Sequence, residues 1–241
     1  MISIVIPTLN EGAGLEKTLR NLAGGLKETE YEIIISDGKS TDNTREIAAR
    51  YAHRVVVYNK LERQTIGQGK NAGAKEGRGE FLVFIDADVT IPSPDLFFKK
   101  ALGDFERDPL LAGLGSRIRV LPELERFSDR FFRGLLNCYN IFMNNVLALG
   151  TGSGEFQMVR KSSFDSIGGF NEKIVAGEDH DLFMRLARIA RTRFDPKLTV
   201  YERGRRARAV GWPWLMSVWI LNALSVTFFK RSVSKEWKEV R

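Results

Sequence analysis

Asp86-Ala87-Asp88 follows directly on the apolar run Phe81 to Ile85. Two carboxylates one residue apart at the end of a buried strand can act as a unit. One can reach a divalent metal while the other meets it through water or takes a neighbouring ribose. Carboxylates buried there without a cation would be costly, so their placement says more than the common triplet itself. The competing reading is that Asp86 only caps the next turn. Asp37, beside Gly38, is a second candidate: it can accept hydrogen bonds from a base or ribose, or close an Asx-turn. The third cluster is Glu178-Asp179-His180-Asp181, ahead of Leu182, Phe183, Leu186 and Ile189. One of its carboxylates can cap a helix while another serves as general base; caps and surface charge alone are the plain alternative. His180 reads as a helix-surface or supporting residue in preference to a metal ligand.

Positioning these groups requires strands whose ends meet. The β-branched run at residues 2–6 predicts a first strand, and Leu15, Leu19 and Leu22 predict a helix over 10–25. Strands at 31–35, 54–58 and 81–85 alternate with helices at 42–52 and from 68 to 75. This alternation predicts an α/β fold with a mostly parallel central sheet flanked by helices. Ligands of such sheets bind beyond the carboxyl ends of the strands, where Thr8 to Glu11, Asp37 to Asp42 and Asp86 to Asp88 gather. Farther on, 94–106 reads as a helix, 111–120 as strand and 124–147 as a long aromatic, amphipathic stretch. A glycine-rich loop at 150–154 precedes Glu155 to Arg160, followed by a short helix at 162–167 and a helix over 179–190.

Composition narrows the chemistry. With one cysteine, Cys138, and two histidines in 241 residues, a disulfide framework or cysteine-built zinc site is excluded, and any metal must rest on carboxylates, favouring Mg²⁺ or Mn²⁺. No G-x-x-x-x-G-K-[ST] loop occurs, and no G-x-G-x-x-G follows the first strand. The net charge of +7 is uneven: residues 191–241 hold 12 Lys and Arg against 4 Asp and Glu, leaving residues 1–190 near neutrality. A local basic surface suits phosphate or anionic lipid better than nucleic acid. Met1 to Pro7 lacks a basic leader, so cytoplasmic residence is expected.

The basic tail surrounds an apolar segment. Residues 209–229 are 21 uncharged residues holding three of four tryptophans, preceded by Arg203, Arg205, Arg206 and Arg208 and followed by Lys230 and Arg231. That length could cross a bilayer, which needs about 20 residues. Asn222, Gly211 and Pro213 favour a helix lying in the interface at least as well, and soluble packing is the third reading.

The chain resembles the family 2 glycosyltransferases of the GT-A fold. The resemblance runs through Val5 to Glu11, Ser36 to Thr44, Gly69-Lys70-Asn71-Ala72-Gly73 and Phe84-Ile85-Asp86-Ala87-Asp88. It returns at Gly152 to Arg160, Ile167 to Glu172 and Glu178 to Leu182. It implies a catalytic domain over 1–202, with a nucleotide-binding half (1–90) and an acceptor half (91–202), then a membrane-associating segment over 203–241.

The resemblance also implies roles. Pro7, Thr8, Glu11 and Asp37 would hold the nucleoside, and Lys70 and Asn71 would line the nucleotide pocket. Asp86-Ala87-Asp88 would bind ribose and the Mn²⁺ or Mg²⁺ on the diphosphate of a UDP- or GDP-linked sugar. Asp179 would be the general base of an inverting transfer, with Gly152 and Glu178 on the acceptor side. Arg117, Arg205 and Arg206 would meet an acceptor phosphate or the membrane, and the acceptor would be a polyprenyl phosphate or glycolipid at the cytoplasmic membrane face. Homo-oligomerisation stays open. Lys39 stands where the family more often has glycine or aspartate, and the Gln-x-x-Arg-Trp pattern of processive synthases is missing. The alternatives are a soluble transferase with a protein or small-molecule acceptor, a sugar-phosphate nucleotidyltransferase, and a non-enzymatic nucleotide-sugar sensor or scaffold.

Overall fold

The computed structural model describes residues 1–234 and Glu236. Residues 235 and 237–241 of the expected basic segment lie outside the described residues. Four strands and three helices alternate first: β1 (Ile2–Thr8), α1 (Gly12–Gly25), β2 (Tyr31–Asp37), α2 (Thr44–Tyr51), β3 (Arg54–Val57), α3 (Ile66–Glu76) and β4 (Phe81–Ile85). Then come α4 (Pro94–Arg107), β5 (Leu111–Val120), α5 (Phe127–Ile141) and a π-helical turn, Phe142–Val146. The chain continues through β6 (Phe156–Arg160), α6 (Lys161–Ser166), α7 (Glu178–Leu186), β7 (Arg191–Glu202), α8 (Arg205–Val210) and α9 (Trp212–Phe229).

The strands form one seven-stranded sheet in the order β3-β2-β1-β4-β6-β5-β7. Only β6 runs against its neighbours; the other pairings are parallel, as the alternation of elements predicts. Strand alternation divides the core between two faces. Ile2, Ile4 and Ile6 of β1 meet Leu15 and Leu19 of α1, Ile47 of α2 and Phe98 of α4. Val5 points the other way, toward Ala74 of α3, Phe164 of α6, and Leu182 and Phe183 of α7.

Three elements differ from the sequence expectation. β7 is a strand the periodicity did not reveal, because Pro196 interrupts it. The pairing of β5 with β7 shifts register between Ser116 and Arg117, and this bulge lets an edge strand carry the proline. The 124–147 stretch is helical, but its last turn widens to a π-helix. The apolar tail folds onto the body as α8 and α9, which form a third small cluster of Ala207, Trp212 and Leu215 with Phe132 and Leu136 of α5.

Candidate functional site

Because β1, β2 and β4 are parallel, their carboxyl ends open on one edge of the sheet. The β1 and β2 ends are knitted together by the turns that follow. Asp37 is fully buried and accepts from the Thr8 hydroxyl at 3.2 Å and from the Ser40 amide and hydroxyl at 2.9 and 2.5 Å. Asn10, at φ 55°, takes the Thr41 amide on its Oδ1 at 2.8 Å. Lys39 sits at φ 71°, so the backbone is left-handed where the family pattern more often has a residue that tolerates it.

A second set of side chains faces this edge from the opposite layer. Lys70 of α3 is fully buried, and its ammonium donates to Glu178 Oε1 at 3.2 Å and to Asp179 Oδ1 at 2.5 Å. Burial alone would lower its pKa, yet Asp179, Glu178 and Asp86 outweigh that and raise it. Glu178 is pushed up to about 7, first by burial and then by Asp179, with Lys70 opposing. Asp86 lies well above the ordinary carboxylate range, because burial, Glu155, Asp88 and Asp179 outweigh the pull of Lys70. The Asp86 and Asp179 carboxylates converge on Gly154: a Cβ there would lie 3.0 Å from Asp179 Oδ2 and 3.6 Å from Asp86 Oδ2. A side chain there would crowd the Asp179 carboxylate, which would have to give by a few tenths of an ångström.

The tail closes the third side. Arg205 of α8 donates to Asp88 Oδ2 at 2.9 Å and pairs with Glu11 Oε2 at 3.0 Å. Neighbouring Arg206 also lines the cavity; burial lowers its pKa, Asp86 opposes this and Arg205 adds to it. Arg133 of α5 is buried between Glu155, at 2.6 Å, and Glu202, with the Trp212 and Trp219 rings 5.5 and 5.6 Å away. Burial opposes the charged form of Arg133, but the two carboxylates prevail and raise its pKa. Together these groups enclose a cavity of about 610 Å³.

Of the expected residues, Pro7, Thr8, Glu11, Lys70, Asp86, Ala87, Asp88, Gly152, Glu178, Asp179, Arg205 and Arg206 all line this cavity. Three do not. Asp37 lies behind Thr8. Asn71 clamps the loop before α7, donating to the Phe170 carbonyl and accepting its amide, both at 2.9 Å. Arg117 is exposed on β5 and is not among the cavity's cations. His180 is buried, with its nitrogens 3.0 Å from the Thr151 and Thr227 hydroxyls, and burial lowers its pKa. It joins α7 to α9.

Arg133, Glu155 and Glu202 escaped the sequence reading. The signal was present in one of them. Asp129, Arg133, Asn137, Asn140 and Asn144 recur at helical spacing through an otherwise aromatic stretch. Glu155 and Glu202 carry no comparable pattern; only the fold brings them to Arg133.

The family model for "Glycosyl transferase family 2" matches residues 3–168. The succinoglycan biosynthesis protein ExoA of Rhizobium meliloti is 30% identical over 197 residues, 77% of this chain and 57% of that protein. A beta-monoglucosyldiacylglycerol synthase of Nostoc sp. is 30% identical over 195 residues, 77% of this chain and 41% of its own length. The chain thus spans about half the length of these curated relatives. Among solved structures, the mannosyltransferase PcManGT from Pyrobaculum calidifontis, in complex with GDP-Man and Mn²⁺, superposes with a TM-score of 0.72 at 20% identity. That alignment covers 95% of this chain and 63% of that one. Glucosyl-3-phosphoglycerate synthase from Mycobacterium tuberculosis gives a TM-score of 0.60 at 22% identity, covering 94% and 78%. These two likenesses are of fold, whereas the family match rests on the sequence motifs themselves. On that match the chain belongs to glycosyl transferase family 2.

Proposed function

We propose that this chain is an inverting, divalent-metal-dependent glycosyltransferase that moves a sugar from a nucleotide-diphosphate sugar to a lipid-linked acceptor at the cytoplasmic membrane face. One observation carries the reading: Asp86, Asp88 and Asp179 converge on a single cavity at the strand ends, with Arg205 and Arg206 opposite them. Both solved relatives described above carry Mn²⁺ in their complexes.

The donor set fits a hard cation completed by substrate. Among the described residues no group of three or more His, Cys, Asp and Glu stands ready to hold a metal. Mg²⁺ and Mn²⁺ suit oxygen donors, and Mg²⁺ in particular keeps waters and takes one or two carboxylates plus substrate phosphates. Asp86 and Asp88 offer that pair, and the half-buried Asp86 lacks sufficient positive charge nearby to hold its pKa down. When bound, the ion would neutralise charge on the departing diphosphate.

The chain's own residues divide the remaining work. Lys70 fixes Asp179 through Oδ1, and Asp179 Oδ2 faces Gly154, from where it would take the acceptor hydroxyl proton. The deprotonated oxygen would attack the anomeric carbon from the face opposite the diphosphate, inverting configuration. Arg205 would leave Asp88 for the diphosphate, which its guanidinium can grip through two donors. An acceptor that is itself a phosphate would need no base, leaving Asp179 a positioning role.

Membrane association rests on α9. Its 18 residues, about 27 Å long at 1.5 Å per residue, are all uncharged. Contacts with the body run along the helix: Trp212, Leu215, Asn222 and Val226 are buried. Past its end the chain folds back, with Asn222 Oδ1 accepting the Val233 and Ser234 amides at 2.9 and 3.1 Å. This supports a helix lying in the interface over one that crosses it.

Asp88→Ala is expected to abolish metal-dependent release of nucleoside diphosphate while the circular dichroism spectrum stays that of the parent. Unchanged turnover would remove Asp88 from the metal site.

A further inference from the structure

A helix laid on a sheet in water buries an apolar stripe and exposes a polar one. α5 does the reverse. Its buried positions are Asp129, Arg133, Asn137 and Asn140, and the π-helical turn continues the series with Asn144. The polar stripe is held by hydrogen bonds to the body. Asn137 exchanges bonds with the Ile118 amide and carbonyl at 3.1 Å. Asn144 donates to the Thr151 carbonyl at 2.9 Å and accepts its amide at 3.2 Å. Asp129, with no exposed surface, accepts from Arg208 and, at 2.7 Å, from the Trp212 indole.

The outward stripe is Phe127, Phe131, Leu135, Phe142 and Val146, with Phe127 84% exposed and Val146 65%; Tyr139, between Leu135 and Phe142, sits at the rim and also lines the cavity. These residues recur at intervals of four and three, so they form one continuous ridge. Phe132 stacks on Trp212 at 5.4 Å, joining this helix to α9, whose own outward residues include Leu221, Leu224 and Phe228. The surface is basic on balance. Asp129, the one acid between residues 127 and 150, is buried, and Glu125 is taken up by Arg119 and Arg130; against the exposed Glu123 stand Arg126 and Arg130, exposed at the start of α5, and Lys230 and Arg231 at the end of α9. A second copy docked face to face through a two-fold axis would set this patch against itself, arginine near arginine. Anionic headgroups supply the opposite sign, and acyl chains supply the medium the ridge requires.

We propose that the outward face of α5 and the π-helical turn is a lipid-contacting surface of the catalytic body, seated at the headgroup–acyl boundary of an anionic bilayer. It rests on, and deepens, the membrane clause of the proposed function. The body itself, and not the tail alone, holds the membrane. The opposite face of the same helix lines the catalytic cavity through Asn137 and Asn140, so one helix separates lipid from active site. An acceptor headgroup then enters the cavity without leaving the membrane surface.

Cys138, the only cysteine, is exposed on α5 and gives a native reporter. The full chain is labelled there with a polarity-sensitive fluorophore and mixed with vesicles of phosphatidylcholine and anionic phosphatidylglycerol. The expected result is a blue shift and quenching by spin-labelled acyl chains, with vesicle partitioning at least tenfold weaker in the unlabelled Phe131→Ser, Leu135→Ser variant. Three further outcomes each overturn the proposal and differ in what else they remove. If the parent floats with vesicles while the label stays in water and the variant binds equally, α9 alone holds the membrane and the membrane clause survives. If the parent does not float, both fall. A blue shift that depends on protein concentration without vesicles would assign the face to a second copy and overturn the lipid assignment.

Discussion

In α1 the buried positions are Leu15, Leu19 and Leu22 with Gly12 and Thr18, and Lys17 and Arg20 are outward; in α5 they are Asp129, Arg133, Asn137 and Asn140, with Phe127, Phe131 and Leu135 outward. Both helices are amphipathic with the same period. They differ in which face meets the body, and so in what holds them there. α1 is held by apolar burial against β1 and β2, whereas α5 is held by hydrogen bonds and ion pairs to β5, β7 and the loop before β6. Hydrophobic periodicity locates a helix in either case. It says which side is inside only when water lies outside.

Of these two helices α5 lines the cavity, through Arg133, Asn137 and Asn140, and the largest expected effect lies at that cavity. Asp179→Asn should slow transfer to a hydroxyl acceptor by about 10²–10⁴, the span that general-base catalysis supplies. A small effect in steady-state kinetics would point to a phosphate acceptor. Arg133→Leu strikes the polar attachment of α5. It leaves Glu155 and Glu202 buried without their cation and should cost about 3–5 kcal/mol in urea unfolding. Little loss would mean that α5 is held otherwise.

A paired truncation sharpens the contrast directly. Leu19→Ala, at a position with no exposure, should cost about 2–5 kcal/mol, whereas Leu135→Ala, 53% exposed, should stay within about 0.5 kcal/mol in aqueous buffer. Equal losses would show that the outward face of α5 packs on something in solution. The smallest effect concerns Glu178, whose carboxyl in the folded chain is raised from 4.5 to about 7. Such a group binds its proton more tightly when folded. Its contribution to stability is therefore present below pH 4.5 and is lost as pH rises through about 7. Denaturation of Glu178→Gln across that window should show a flatter pH profile than the parent; superimposable profiles would contradict the raised value.

Much of the sheet was legible because its rules are local. The run Phe81 to Ile85 is β4 to the residue, and Leu111 to Val120 is β5, since apolar runs bounded by turns need no partner to be recognised. The carboxylates Asp86, Asp88 and Asp179 could be nominated from strand-end placement and motif order. What escaped depended on distance. β7 was hidden by Pro196, whose cost only a bulge at an edge relieves. Arg133 and Glu202 are 69 residues apart, and neither is marked by its neighbours. Arg117 was named through the resemblance; side chains alternate across a strand, and this one is exposed and does not line the cavity.

The central claim is that the cavity takes a nucleotide-diphosphate sugar and transfers its sugar with inversion. The most direct measurement incubates the full chain and Mn²⁺ with a panel of UDP- and GDP-sugars, with polyprenyl phosphate or glycolipid in mixed vesicles. Nucleoside diphosphate release is followed, and the product's anomeric configuration is read by NMR. The expected result is release from one donor class, with an α-linked donor giving a β-linked product. Consumption of no donor, a product that keeps the donor's configuration, or formation of a sugar 1-phosphate would contradict it.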